Sequence, residues 1–142
     1  MTANTPASRK AKGRRLQQAV RQDLVDRLGI DPGDILSTAM GQAGCDLYLS
    51  PAARARFPFA VECKHQETIS LPAWWEQCTA NAEAEGLAPL LVFRRNREDA
   101  LAVMRWSDLL KLLTTTNPCE ISSSQDHRWQ NLAEGLMGGE RP

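Results

Sequence analysis

The segment from Phe57 to Lys64 constrains the fold of this chain most, because an apolar run there ends in two charged residues. Its length and its apolar residues predict a largely buried β-strand. Residues two apart in a strand face the same side, so Glu62 and Lys64 would project together while Val61 and Cys63 point into packing. Because charged side chains are rarely placed beside a buried strand without a reason, this pair marks a candidate functional site.

The surrounding sequence predicts helices and strands in the order helix, three strands, helix, two strands, helix. The clearest helix is residues 12–28, in which apolar residues recur every three or four positions. The other predicted elements are strands at 35–40, 46–49, 57–64, 90–93 and 100–106 and helices at 70–86 and 108–113, with loops at 41–44 and at Ser50-Pro51. This order predicts an α/β fold in which a central mixed β-sheet is flanked by helices.

The chain of 142 residues has the length of a single domain. We expect a flexible basic tail at residues 1–11, a folded domain at 12–116 and an accessory C-terminal segment at 117–142. A short amphipathic stretch near 129–136 is the main feature of that last segment.

Charge is informative only in its distribution, because 17 basic and 17 acidic residues cancel over the whole chain. Residues 1–30 carry seven basic and two acidic side chains, a local balance of +5. The cluster from Arg9 to Arg15 is expected to contact nucleic-acid phosphates, in which case binding would weaken strongly with salt. The alternative is a solubilising tail.

The cysteines and the hydropathy pattern exclude several classes. Cys45, Cys63, Cys78 and Cys119 form no CxxC pair, so neither a zinc knuckle nor a disulfide framework is indicated, and reduced buried thiols are expected. The sequence has no N-terminal apolar signal and no run of about 18 apolar residues, which predicts a cytoplasmic protein without a membrane span.

Asp46 supplies a second carboxylate, directly after a Gly44-Cys45 pair that allows a sharp bend. If adjacent strands bring Asp46 and Glu62 together, the two carboxylates and the backbone carbonyl of Cys63 form an oxygen-rich site suited to Mg²⁺ or Mn²⁺. Such an ion makes bound water more acidic and neutralises charge on a phosphate. Lys64 would hold or deprotonate the attacking water and stabilise the developing negative charge.

In order and spacing, these residues resemble the PD-(D/E)XK nuclease superfamily, and more particularly the archaeal-type Holliday-junction resolvases and related phage or bacterial endonucleases. The resemblance covers residues 12–113. It is carried by Lys12-Gly13-Arg14-Arg15, Gly44-Cys45-Asp46-Leu47, Val61-Glu62-Cys63-Lys64, Gln77 and the strand at 90–93. It implies a restriction-endonuclease-like core.

The resemblance also implies roles for individual residues. Asp46 and Glu62 would be metal ligands, Lys64 the catalytic lysine and Gln77 an auxiliary polar residue. The acidic residue that the family commonly carries in its first helix falls on Gln17, a candidate site residue whose side-chain carbonyl can contact a cation or its water but brings no negative charge. The residue before Asp46 is Cys45 where the family usually has proline, a change that affects backbone shape and removes no ligand.

The resulting hypothesis is a Mg²⁺-dependent endonuclease that hydrolyses DNA, either branched or duplex, and that forms a homodimer as junction resolvases do. Its expected DNA contacts are Arg9, Lys10, Lys12, Arg14, Arg15 and, by resemblance, the hydroxyl of Ser37. Three alternatives remain open. They are a nuclease for duplex ends, nicks or single strands; a DNA-binding protein that has lost efficient catalysis, for which Gln17 is the best argument; and an interaction protein whose Trp74-Trp75 surface binds a partner and whose Glu62 and Lys64 are ordinary surface charges.

Overall fold

A computed structural model describes residues 5–39 and 41–114 of the chain. Its elements are α1 (Pro6–Leu28), a 3-10 turn (Pro32–Asp34), β1 (Ile35–Ser37), β2 (Leu47–Leu49), α2 (Pro51–Arg56), β3 (Phe59–His65), α3 (Leu71–Glu85), β4 (Ala88–Arg94), β5 (Leu101–Val103) and α4 (Trp106–Thr114). The predicted α/β fold with a mixed sheet flanked by helices is confirmed.

The main sheet has three strands in the order β3-β4-β5. β3 runs parallel to β4, with Glu62 opposite Leu91 and Lys64 opposite Phe93, whereas β4 and β5 are antiparallel. α3 provides the crossover that a parallel pair requires. β1 and β2 form a separate antiparallel pair.

The two faces of this sheet are covered by different helices. Val61, Cys63, Leu90 and Val92 belong to a cluster that includes Leu16 and Leu24 of α1. On the opposite face, Leu91 and Phe93 pack with Trp74 and Cys78 of α3, and Ala60 packs with Ala82 of the same helix. Alternate residues of β3 therefore face α1 and α3, as a strand covered on both sides requires.

The first helix begins at Pro6, six residues earlier than predicted. The hydroxyl of Thr5 accepts a hydrogen bond from the Ser8 N–H at 3.2 Å, and Pro6 occupies the first turn. Since a threonine cap followed by proline favours helix initiation, residues 6–11 are helical instead of belonging to a loose tail. The helix ends as predicted at Gly29, which has a φ of 64°.

A second difference is α2, which lies where the sequence analysis expected a loop at Ser50-Pro51. The Ser50 hydroxyl accepts a hydrogen bond from the Ala53 N–H at 3.1 Å, and Pro51 again starts the helix. The same cap and proline signal was thus missed twice. The strands are also displaced from their predicted ends: β1 stops at Ser37, β2 starts at Leu47 and β5 spans only Leu101–Val103.

The chain divides into two compact units, one ending at Arg105 and one beginning at Trp106. α4 lies in the second unit and contains an ion pair between Lys111 and Asp108 at 3.7 Å. The predicted segment at 117–142, with its amphipathic stretch, lies outside the described residues, so the domain boundaries stay a prediction. None of the helices in the described ranges combines the length and apolar character needed to cross a membrane.

Candidate active site

Asp46 is attached to the edge of β3 that faces away from β4. Its N–H donates to the Val61 carbonyl at 3.0 Å, and its carboxylate Oδ2 accepts from the Cys63 N–H at 2.6 Å. Gly44 has a φ of 108°, and a Cβ there would lie 3.0 Å from the Tyr48 hydroxyl. The bend that delivers Asp46 to β3 therefore depends on glycine at position 44.

Glu62 and Lys64 project together on the α3 face of β3. Glu62 is only 4% exposed, and its Oε1 lies 3.0 Å from the Lys64 Nζ. The same ammonium donates to Oε1 of Gln77 on α3 at 2.9 Å. The structure thus brings Glu62, Lys64 and Gln77 into one connected group, with Lys64 held between the other two.

Asn81 also belongs to this group, although the sequence analysis did not select it. Its Nδ2 donates to Oε2 of Glu62 at 3.2 Å and to the Gly44 carbonyl at 3.1 Å. Asn81 follows Gln77 by four residues on α3, a spacing that puts both on one helical face. That spacing was the sequence signal that would have identified it.

The two carboxylates affect each other electrostatically. Burial, and next the charge of Glu62, raises the pKa of Asp46 to about 6, while the hydrogen bond from the Cys63 N–H and the charge of Lys64 oppose this rise. Placing two carboxylates near each other in a partly buried site costs free energy unless positive charge accompanies them.

Gln17 lies at the same place but its contacts differ from those of a metal ligand. The side chain is 2% exposed, and its Nε2 donates to the Asp46 carbonyl at 2.6 Å and to the Thr38 hydroxyl at 3.3 Å. The Thr38 hydroxyl and N–H donate to that same carbonyl at 3.1 and 3.0 Å. Gln17 therefore holds the backbone of Asp46 through its amide nitrogen.

A cleft of about 430 Å³ lies beside Lys64. It is lined by Arg9, Lys12 and Gly13 of α1, by residues 63–68 and by Asn96. The His65 ring is 3.2 Å from Oδ1 of Asn96. Two of the predicted DNA contacts, Arg9 and Lys12, thus share a cleft with the candidate catalytic lysine.

The other predicted DNA contacts lie outside that lining. Lys10, Arg14 and Arg15 are exposed on α1. Ser37 lies on β1, where its hydroxyl accepts a hydrogen bond from the exposed Gln18 at 3.2 Å.

The donor atoms fit a hard divalent cation. Asp46 and Glu62 are both oxygen donors, and the mutual repulsion of their charges is what a cation would relieve. In a strand, the N–H and C=O of one residue point to the same edge, so the Cys63 carbonyl faces the edge to which Asp46 is bonded. Within residues 5–39 and 41–114, no group of three or more His, Cys, Asp and Glu side chains is arranged to hold a metal. An ion here would keep several waters, as Mg²⁺ usually does.

The described cysteines are buried free thiols. Burial raises the pKa of Cys45 to about 11 and that of Cys78 to about 12, and it also raises the pKa of Cys63. These thiols are therefore neutral at ordinary pH and are poor nucleophiles. Cys119 lies outside the described residues.

The adjacent tryptophans on α3 differ in burial, as two neighbouring helical positions must. Trp74 is buried and its ring centroid is 5.8 Å from that of Phe93. Trp75 is partly buried against the same cluster. Trp74 is therefore a core residue, and the interaction-surface alternative depends on the part of Trp75 that remains exposed.

Comparisons with known proteins agree with this geometry. Residues 8–131 match the family described as "Phage putative PDDEXK endonuclease". The chain is also 30% identical over 118 residues to Protein D14 of Escherichia phage T5, an alignment that covers 70% of this chain and 72% of that protein. No solved structure matches the chain. The protein belongs to the phage PDDEXK endonuclease family, within the PD-(D/E)XK superfamily.

Proposed function

We propose that this protein is a Mg²⁺-dependent endonuclease that hydrolyses phosphodiester bonds in DNA, with Mn²⁺ as an alternative ion. One observation carries the proposal: a buried Glu62 is paired with Lys64 on the strand to which Asp46 is bonded, in a chain of an endonuclease family. The buried acid and the paired lysine are the groups that such hydrolysis uses.

Asp46 and Glu62 are the proposed metal ligands, together with the Cys63 carbonyl. When bound, a divalent ion supplies Lewis acidity, an acidified water and neutralisation of phosphate charge. The Cys63 N–H holds Oδ2 of Asp46 and Asn81 holds Oε2 of Glu62, so both carboxylates have fixed orientations before substrate arrives. Such outer contacts commonly tune a metal site.

Lys64 is proposed as the catalytic lysine. Its ammonium is held at 3.0 Å from Glu62 and 2.9 Å from Gln77, so a phosphate entering beside it meets an already oriented positive charge. A preoriented charge stabilises the negative charge that develops on the phosphate without reorganisation cost. Gln77 acts by holding that ammonium.

The proposed path of the DNA strand runs through the cleft beside Lys64. Arg9 and Lys12 line it and would neutralise phosphates next to the cleaved one. Lys10, Arg14 and Arg15 extend the positive charge along α1, and Ser37 is a further proposed contact. Glu67 also lines the cleft, and one of its carboxylate oxygens accepts from the Asn96 N–H at 2.5 Å.

Branched DNA is the proposed substrate and a homodimer the proposed assembly, both from the resemblance to junction resolvases. A two-fold dimer would present two sites to two strands of a four-way junction. A cytoplasmic location is part of the same proposal.

The test is cleavage of a labelled panel: four-way junction, linear duplex, flap and single strand, with Mg²⁺, Mn²⁺ or EDTA. We expect wild-type protein to cut only with metal, and we expect Glu62→Gln and Lys64→Ala to cut far more slowly than wild type. The matched controls are Glu76→Gln, which changes an exposed acid of α3, and Lys111→Ala, which removes an exposed lysine of α4. The panel identifies the preferred DNA shape.

A second candidate function is a DNA-binding protein of the same fold without efficient catalysis. It is favoured by Gln17, since the amide brings no third negative charge to the site. Salt-sensitive DNA binding by wild-type protein, with no cutting under either metal, would select this candidate over the nuclease.

A further inference from the structure

We infer that Gln17 and Asn81 form an amide clamp, a pair of positioning residues that fix the segment 44–46 and Glu62 relative to each other. The inference rests on the proposed function, because it concerns how the two carboxylates of that site reach a shared geometry. Neither residue is a metal ligand in this arrangement.

The first arm of the clamp comes from α1. The buried amide nitrogen of Gln17 donates to the carbonyl of Asp46 at 2.6 Å and to the hydroxyl of Thr38 at 3.3 Å. The hydroxyl and the N–H of Thr38 donate to the same carbonyl at 3.1 and 3.0 Å, so that oxygen accepts three hydrogen bonds in all. The carbonyl of Asp46 is therefore fixed from the α1 side.

The second arm comes from α3, on the opposite face of the sheet. One amide nitrogen of Asn81 donates to the Gly44 carbonyl at 3.1 Å and to the Glu62 carboxylate at 3.2 Å. Asn81 thus links the Gly44 backbone, two residues before Asp46, to the carboxylate of Glu62. Because both hydrogens of the NH₂ group are used, a hydroxyl or a carboxylate at this position cannot make both bonds.

The clamp answers a physical need of this site. The segment 44–46 precedes β2, contains a glycine at a φ of 108° and carries an acid whose charge is repelled by Glu62. Only two hydrogen bonds, from residue 46 to Val61 and from Cys63 to residue 46, attach Asp46 to β3. Gln17 of α1 and Asn81 of α3 add hydrogen-bond donors from the two helices that cover the sheet. The packing of both helices on the sheet therefore sets the distance between the carboxylates of Asp46 and Glu62.

Gln17→Glu separates this inference from the view that position 17 is a ligand position. A carboxylate has no hydrogen to donate, so it would face the Asp46 carbonyl with like partial charge. If the clamp is correct, the Gln17→Glu variant binds metal more weakly and cleaves DNA more slowly than wild type, although its site carries one more negative charge. If position 17 is a ligand position, the variant binds metal more tightly and cleaves faster.

The experiment measures Mn²⁺ affinity by electron paramagnetic resonance and the Mn²⁺ dependence of single-turnover cleavage, at a temperature where thermal unfolding shows each variant folded. The variants are Gln17→Glu, Gln17→Met and Asn81→Leu, the last two similar in size but without donors. Gln22→Glu is the matched control, because it makes the same charge change at an exposed position of α1 whose side chain bonds to Asp26 and not to a proposed DNA contact.

We expect the three clamp variants to bind Mn²⁺ about 10- to 100-fold more weakly, the usual effect of losing an outer contact of a metal site. Gln22→Glu should match wild type, and DNA binding in EDTA should change little in any variant. A purely structural role would lower the melting temperature and leave the Mn²⁺ affinity of folded protein unchanged. Since the buried Gln17 variants are the ones at risk of misfolding, Asn81→Leu keeps the test decisive.

Three outcomes would overturn the inference or separate it from the proposed function. Gln17→Glu that binds Mn²⁺ as tightly as wild type, or more tightly, overturns the clamp. Wild-type protein that binds Mn²⁺ but never cuts removes the proposed function, and the affinities of the variants still decide the clamp. Wild-type protein that neither binds Mn²⁺ nor cuts overturns both.

Discussion

β3 and the segment 44–46 each supply one carboxylate, but different forces hold them. β3 pairs with β4 over seven residues and is covered by apolar side chains on both faces. The segment 44–46 is fixed by two hydrogen bonds to β3, by donors from Gln17, Thr38 and Asn81, and by the packing of buried Cys45 against Ala60 and Ala82. The comparison teaches that strand pairing and core packing hold Glu62, whereas the position of Asp46 also depends on a few polar contacts.

The largest expected effect is the loss of cleavage when the charge of Asp46 or Glu62 is removed, which tests whether both carboxylates are needed. Asp46→Asn and Glu62→Gln should each reduce single-turnover cleavage about 10²- to 10³-fold, because each removes a charge that the proposed ion requires. Quench-flow or gel assays at saturating Mn²⁺ measure this. Equal activity of Asp46→Asn and wild type would show that the charge of Asp46 is not required for cleavage.

A substitution in the core beside β3 should lower the stability of the protein without changing the metal affinity of the folded state. Leu91 is fully buried opposite Glu62, so Leu91→Ala should lower the free energy of unfolding by about 2–5 kcal/mol. Urea denaturation measures the change. Mn²⁺ affinity of the folded variant should stay near that of wild type, and a large loss of affinity without a loss of stability would contradict the distinction drawn between β3 and the segment 44–46.

Gly44→Ala should destabilise the segment 44–46 through backbone strain of about 1–3 kcal/mol, since residue 44 has a positive φ. Gly41→Ala is the matched control, because Gly41 also has a positive φ but a Cβ there meets no atom within 4 Å among the described residues other than its chain neighbours. Gly44→Ala should lower the melting temperature and the Mn²⁺ affinity more than Gly41→Ala does. Adding Tyr48→Phe to Gly44→Ala removes the hydroxyl that the new Cβ would contact, so the double variant should be closer to Gly41→Ala. Thermal unfolding and Mn²⁺ affinity together test this, and indistinguishable variants would count against it.

The smallest effect is a pH dependence of metal-free stability. Burial raises the pKa of Asp46 from 3.8 to about 6 in the folded protein. The folded state therefore binds this proton more tightly than the unfolded state, so its stabilising contribution is complete below pH 4 and is lost as the pH rises through about 6. Unfolding curves in EDTA should show this loss for wild type and not for Asp46→Asn, and added Mn²⁺ should reverse it. If stability depends on pH in the same way for wild type and Asp46→Asn, the pKa of Asp46 is not raised in the folded protein.

Some of the fold was predictable because it depends on local patterns. The apolar run at 59–61 predicted β3, and the helical spacing from Leu16 to Leu28 predicted most of α1. Helix starts were less successful, since Ser50-Pro51 was predicted to be a loop and residues 1–11 a flexible tail, although a proline begins a helix in both places.

The sequence by itself determined which residue types were present for the chemistry: an acid and a lysine two residues apart on a strand, and a second acid after a glycine. Strand geometry has a fixed period of two, so the shared face of Glu62 and Lys64 followed without knowledge of the fold. Only the tertiary structure decided what surrounds them. Asn81 reaches both Gly44 and Glu62, and Gln17 turns its amide nitrogen to the Asp46 carbonyl, because packing of α3 and α1 on opposite faces brings those distant residues together.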